Sequence, residues 1–467
     1  MIEILKFVNR AVWGIPALVM ILGVGCYLSL QTSFVQIRMF PKALKSFVSR
    51  FLKRESTDGV SPYQALCTAL AATVGTGNIA GVAGAIAIGG PGAIFWMWIC
   101  ALLGMVTKFA EATLSVRYRE KNVAGEFVGG PMYMIKHTMP GFGWMASLYC
   151  FFGVVAAFGV GNATQINAVI SGINSVIEYF GGKQRISVDI LLGLILAALV
   201  LLILLGGAKK IGQIAERLVP YAAVGYLLLC TIVLLSRFRE IPRAFSLIVM
   251  GAFSPNAITG GMIGSVFTVL RIGASRGVFT NEAGMGTASI AHAASNVTHP
   301  VEQGLMGIME VFLDTVVICT MTALVILCSG VPIAYGCDTG ALLTTQAFSY
   351  TLGEWVCIPI ASFLCCFALA TVLGWGLYGI RCAQYLFGDR SWKGFVYLQA
   401  LIVVISSVLG TGTIWMLAET VNGLMAIPSL TVLAYLAPEL KSLTAEYGHQ
   451  VRSFDRDVDK SHIIMVK

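Results

Sequence analysis

The residues Thr73-Val74-Gly75-Thr76-Gly77-Asn78 set hydroxyls, an amide and two glycines in the middle of an otherwise apolar run, Ala65 to Gly90. Glycine costs about 1 kcal/mol against alanine in a helix interior, so the run predicts a helix that opens at its centre. Backbone opened at membrane depth is tolerated only where it lines a cavity or is buried in protein, because no water satisfies the freed N–H and C=O groups. A charge-free gap of this kind suits a small ion and the head groups of a small zwitterion. The amides of Thr76 and Gly77, at the start of the second half-helix, would turn the positive end of the helix dipole toward a carboxylate. Freed carbonyls between Ala71 and Val74 would face an ammonium or a cation. The competing reading, glycines that merely let helices approach, fits Gly81 and Gly84 better than Gly75 or Gly77.

Other polar residues fall inside apolar runs. The stretch Arg271-Ile272-Gly273-Ala274-Ser275-Arg276-Gly277 predicts a second opened helix, with carbonyls around Gly273, Ala274 and Ser275 facing the same ligand. Asn162 and Gln165 are three apart and share a helical face, and Phe158, almost two turns earlier, could wall a pocket there. Thr371 and Trp375 are four apart on one side of a later run. Lys108 and Glu111, close to Arg117, read as an ion pair at the cytoplasmic end of a span. Asn281 and Glu282 follow the second interruption, and Glu282 with Arg276 is a candidate gating pair. Asp314, one turn after Glu310, is the candidate for proton coupling, since an ionisable residue inside a span is functional by default.

The elements that position these groups are membrane spans. Of 467 residues, 57% are hydrophobic and 12% charged, against about 25% charged in soluble domains. The net charge of +8 does not indicate nucleic acid, because the basic residues border the apolar runs. The twelve cysteines lie mostly within those runs without metal-ligand spacing and read as packing residues. His137, His292, His299, His449 and His462 form no catalytic motif, so the chain does not read as an enzyme.

Apolar runs of roughly 20 residues give an all-α polytopic fold of about eleven spans: 12–34, 62–88, 93–116, 144–179, 188–205, 214–236, 260–294, 301–329, 358–386, 395–409 and 413–437. The stretch 339–352 is too short and polar to span and reads as an external helical cap. Lys and Arg concentrate on one side if the N-terminus is outside and the C-terminus cytoplasmic, although Arg237, Arg239 and Arg243 then fall outside. Setting aside the first helix and its basic loop (1–60), the ten remaining spans form two sets of five, 61–240 and 241–440, each beginning with a broken member. An odd number of spans per set makes the repeat inverted, with sites at the midplane. The segment 441–467 reads as a charged, partly ordered cytoplasmic tail.

The runs GTGNIAGVAGAIAIGGPGAIFWMW (75–98), GEFVGGPMYMI (125–135), RGVFTNEAGMG (276–286) and ALATVLGW (368–375) closely resemble the alanine or glycine:cation symporter family, sodium-coupled amino-acid carriers with the leucine-transporter fold. The resemblance runs from Val12 to about Leu440. It implies uptake, across the plasma (inner) membrane, of alanine, glycine or similar small neutral amino acids driven by sodium, with no organic cofactor. The substrate site is expected at Thr76, Gly77, Asn78, Phe158, Gln165, Gly273, Ala274 and Trp375, with the tryptophan capping the pocket and the resemblance implying that Gln165 reaches the substrate. The sodium is expected between the first broken helix and the ninth span, on the carbonyls of Ala71, Val74, Phe367 and Ala370 and the Thr371 hydroxyl. The chain departs from the pattern at Ala370, where relatives carry serine, at Glu310, an added carboxylate, and at Ile380, where a glutamate is expected. Proton coupling through Asp314 and an ion channel are the alternatives. The preferred amino acid, ion stoichiometry and oligomeric state are not legible from these residues.

Overall fold

A computed structural model describes Glu3, Asn9 and residues 12–52, 59–261, 265–337, 340–409 and 412–450. Lys6, Arg10, Lys53, Arg54 and the tail beyond Gln450, including His462, lie outside the described residues. Almost every described element is helical: α1 Ile15–Gln31, α2 Phe40–Leu52, α3 Pro62–Thr73, α4 Gly77–Gly89, α5 Ala93–Arg117, α6 Gly143–Tyr179, α7 Ile186–Leu204, α8 Gly207–Ser236 and α9 Ile241–Phe253. These are followed by α10 Val266–Asn281, α11 Thr287–Ala293, α12 Pro300–Ser329, α13 Ala341–Leu352, α14 Cys357–Phe387, α15 Ser391–Ser406, α16 Gly412–Tyr435 and α17 Ala437–Gln450.

Among the described residues six helices, α5, α6, α7, α8, α12 and α14, are long and apolar enough to cross a bilayer, and up to eight crossings result if each bent pair is one span. The remaining expected spans fall on the shorter apolar helices α1 and α15, the interrupted α10 and α11, and α16. The protein is a multi-pass membrane protein. In α5, 67% of the apolar window is buried, against 22% in α7, so α5 belongs to the core and α7 turns Ile190, Leu191, Leu194 and Leu202 outward, as a lipid-facing helix does. The twelve cysteines are free thiols.

Local chemistry sets the helix ends. A reciprocal capping box starts α3: Gln64 N donates to Ser61 Oγ and Ser61 N donates to Gln64 Oε1, both at 3.1 Å, with proline at the first turn. α3 ends at Thr73, Val74 is extended at ψ 102°, and a π-turn over Gly77–Gly81 restarts the helix at a 53° bend. The predicted first break is therefore present, at the predicted residues.

The second break is displaced. α10 runs without interruption through Arg271 to Gly277, and the chain opens instead at Glu282, Gly284 and Gly286, all with positive φ, before α11 begins. Gly273 and Gly277 serve close packing: a Cβ on Gly273 would overlap the Ala93 carbonyl oxygen, and one on Gly277 would stand 3.2 Å from Cys100 Cβ. This is the small-residue seam that lets two helices touch.

The start of the expected tail is ordered. It is a helix to Gln450, with Leu440 and Thr444 buried and Glu439 paired with Arg117 at 3.1 Å. The predicted cap helix is present as α13.

Candidate functional site

Thr371 projects from α14 against the last turn of α3. Gly374 permits the contact, since a Cβ there would come within 2.9 Å of Ala72 N. The Thr371 hydroxyl lies 3.0 Å from the carbonyl of Ala71 and 3.0 Å from that of Phe367. The Phe367 carbonyl also belongs to the ladder of the unbroken α14, whereas Gly75 N turns to Asn78 Oδ1 and leaves the Ala71 carbonyl to the Thr371 hydroxyl, whose single proton leaves oxygen lone pairs over. That surplus of hard oxygen fits a small cation. Of the predicted sodium set, Ala71, Phe367 and Thr371 are thus brought together. Ala370 is buried one residue away, while Val74 caps α3, its N–H given to Leu70 O at 2.7 Å.

Beside Thr371 lies a cavity of about 20 Å³, taken as the room open to the centre of a water molecule. Gly75, Thr76 and Gly77 of the first break line it with Gln165, Glu282 and Thr371. Gln165 gives its Nε2 to Val160 O at 3.2 Å, and its Oε1 is buried with no partner. Gly77 passes close to Thr280, at 3.7 Å from a Cβ position to Thr280 Cα. The first break therefore rests on the last turn of α10, just before the second.

Other expected residues stand elsewhere. Phe158 stacks on Phe395 at 4.9 Å between ring centres. The π-turn over Gly159–Ala163 adds a residue to the helix path and rotates the turns beyond it, so Phe158 and Gln165 do not share a face. Val160 and Thr164 line the cavity instead. Asn162 donates to Gln399 O at 3.0 Å, an interhelical bond. Trp375 is fully buried and packs on Gly161, where a Cβ would overlap it. Its indole lies beside the Glu282 carboxylate, so it backs the cavity wall. Gly273 and Ala274 are in the seam between α10 and α5, and the unbroken helix keeps their carbonyls in its own ladder.

Asn78 joins the two breaks. Its Oδ1 accepts from Gly75 N at 2.9 Å, and its Nδ2 donates to Asp314 Oδ1 at 2.7 Å. Thr315 Oγ1 donates to Asp314 Oδ2 at 2.7 Å, Asn281 Nδ2 donates to Thr315 Oγ1 at 3.2 Å, and Ala283 N donates to Asn281 Oδ1 at 3.0 Å. One chain of bonds thus runs from Gly75 to Ala283 through a π-turn in α12. The unpaired amides of the second break have a further acceptor: Glu111 Oε1 receives Gly284 N at 2.8 Å and Gly286 N at 3.0 Å.

Lys108 and Glu111 therefore do not form the expected pair. Lys108 Nζ bonds Glu310 Oε1 at 2.9 Å, and Glu310 Oε2 meets His292 Nε2 at 2.9 Å. His292 Nδ1 in turn meets Gln303 Nε2 at 2.7 Å. Spacing along α5 puts both side chains in reach of one another, but the facing helix supplies Lys108 with a buried anion, and the open backbone supplies Glu111 with donors. Near the end of α14, Arg381 donates to Glu126, in the loop between α5 and α6, at 2.8 Å. Burial would raise the Glu126 carboxyl, but Arg381 holds it below the ordinary carboxylate value.

With this geometry in place, comparison with known proteins decides the family. Residues 1–461 match the sodium:alanine symporter family. The chain belongs to that family. It is 40% identical over 452 residues to the sodium/alanine symporter AgcS of Methanococcus maripaludis, covering 96% of this chain and 97% of that one. It is also 40% identical over 464 residues to an uncharacterized transporter of Haemophilus influenzae, covering 98% of each. Among solved structures, the crystal structure of MhsT in complex with L-phenylalanine superposes with a TM-score of 0.56 at 15% identity, covering 83% of this chain and 99% of that one. That likeness shows a leucine-transporter-type fold, as the resemblance implied.

Proposed function

We infer that this chain imports small neutral amino acids such as alanine or glycine by sodium symport, through alternating access. One observation carries the reading: a cavity between two broken helices holds the first break's glycines and the unpartnered Oε1 of Gln165, beside a hydroxyl shared by two carbonyls. The half-helix amides at Thr76 and Gly77 are suited to a carboxylate, the acceptor oxygens to an ammonium, and the Ala71–Phe367–Thr371 set to sodium, with the carbonyls of Val74 and Ala370 as further ligands. Membership of the sodium:alanine symporter family supports the same coupling ion. The carrier would lie in the inner membrane with its site near the midplane, the N-terminus outside and the C-terminus cytoplasmic.

Uptake of labelled alanine and glycine into proteoliposomes, with sodium, potassium and proton gradients imposed separately, tests the reading. Saturable uptake that collapses without sodium is expected. Uptake driven by a proton gradient alone would transfer the coupling to Asp314, and unsaturated current would make the chain a pore.

A further inference from the structure

We propose that Glu282 is the counter-charge that receives the substrate's α-ammonium group. The inference rests on the amino-acid reading above and adds to it a residue outside the half-helix amides and the sodium set. Glu282 lines the same small cavity as Gly77 and Gln165, and it is the hinge of the second break. Its backbone is left-handed, with φ 53° and ψ 22°, a conformation that costs a non-glycine residue about 1–3 kcal/mol and that clusters at ligand sites. The side chain is held in place by Thr287, whose Oγ1 donates to Oε2 at 2.7 Å.

The pattern of ion pairing leaves this residue without a partner cation of its own. Lys108 is engaged by Glu310 at 2.9 Å. Glu111 Oε1 is taken by the amides of Gly284 and Gly286. Both oxygens of Asp314 are taken by Asn78 and Thr315. Glu282 is the buried carboxylate that borders the cavity, and among the described residues no lysine or arginine forms an ion pair with it. A carboxylate withdrawn from water without a cation is costly, and a ligand bearing an ammonium supplies the missing charge with three N–H donors. Gln165 Oε1, buried and unpartnered in the lining of the same cavity, accepts a second of these. A sodium ion has the Ala71–Phe367–Thr371 oxygens, which carry no formal charge. The zwitterion is therefore oriented with its carboxylate on the first break and its ammonium on the second.

The test is equilibrium binding of labelled alanine to the purified full-length carrier in sodium, with lactate, which replaces the ammonium by a hydroxyl, and alaninamide, which keeps the ammonium, as competitors. Wild type is expected to be displaced by alaninamide and not by lactate. Glu282→Gln should weaken alanine about 30-fold or more and shrink the preference for alanine over lactate, while half-saturating sodium stays within threefold. Glu282→Asp should fall between. Alanine affinity within threefold of wild type in Glu282→Gln, or an unchanged alanine-to-lactate ratio, overturns the assignment. If the variants do not fold, the wild-type competition decides: lactate displacing as well as alaninamide overturns it. Failure of wild type to bind any small neutral amino acid would instead remove the reading on which the inference stands.

Discussion

The Thr371 hydroxyl of α14 and the Ala71 carbonyl of α3 lie 3.0 Å apart across a helix contact with no room for a side chain at Gly374. Thr371→Val keeps the shape and removes the oxygen. Half-saturating sodium for uptake should rise about tenfold or more, equivalent to about 1.4 kcal/mol, whereas Thr371→Ser should stay close to wild type. Equal sodium dependence in both would separate this hydroxyl from ion binding.

The bonds from Gly75 to Ala283 pass through Asp314. Asp314→Leu leaves the Asn78 and Thr315 donors unmet in a dry interior, a cost of about 1–3 kcal/mol for each unsatisfied group. The melting temperature of the detergent-purified variant should fall, and uptake should be lost more completely than in Asp314→Asn, which keeps an acceptor. Matching uptake in the two variants would show that the bonds across α12 do not matter to transport.

Lys108 and Glu310 are both within 1% of full burial and 2.9 Å apart. Removing one partner of such a pair strands the other charge and costs about 3–5 kcal/mol, while replacing both is far milder. Lys108→Met should therefore destabilise strongly, and Lys108→Met with Glu310→Gln should recover much of the loss in a thermal melt.

Trp375 packs directly on Gly161. Gly161→Ala should reduce uptake by displacing the indole toward Glu282, and adding Trp375→Phe should restore part of it. Trp375→Ala alone should admit larger amino acids through the weakened wall, read as a changed competition profile.

Arg381 and Glu126 join α14 to the loop before α6 at 2.8 Å. The folded carboxyl sits below its unfolded value, so the stabilisation is complete above the unfolded carboxylate range, near pH 4.3, and fades as pH falls through the lower folded value. Glu126→Gln should behave at neutral pH as wild type does in acid. The Glu126 side chain is 42% exposed, so the effect should be under about 1 kcal/mol, visible as faster proteolysis of the loop.

The first break is legible in the sequence because Gly75 and Gly77 sit in a run with no other reason to be polar. The second is misplaced by the same logic because Gly273 and Gly277 carry the same composition for a different purpose, contact with α5. The better signal lies in Asn281-Glu282-Ala283-Gly284-Met285-Gly286, whose alternating glycines repeat the Gly75-Thr76-Gly77 pattern beside a carboxylate. Phe158 escapes assignment because a π-turn changes which residues share a face, and helical spacing assumes none. The partners of Lys108 and Glu111 are hidden for a simpler reason: spacing along one helix says nothing about the helix opposite.

The seam of α10 on α5 has a mechanical consequence. With Gly273 and Gly277 pressed to neighbouring backbone, sliding of α10 along α5 would force main chain against main chain, and the joint between α10 and α11 falls at the few left-handed residues from Glu282 to Gly286. Amide hydrogens of the seam should exchange with solvent slowly and those of the joint faster, and a ligand that bridges both helices would quiet the joint first.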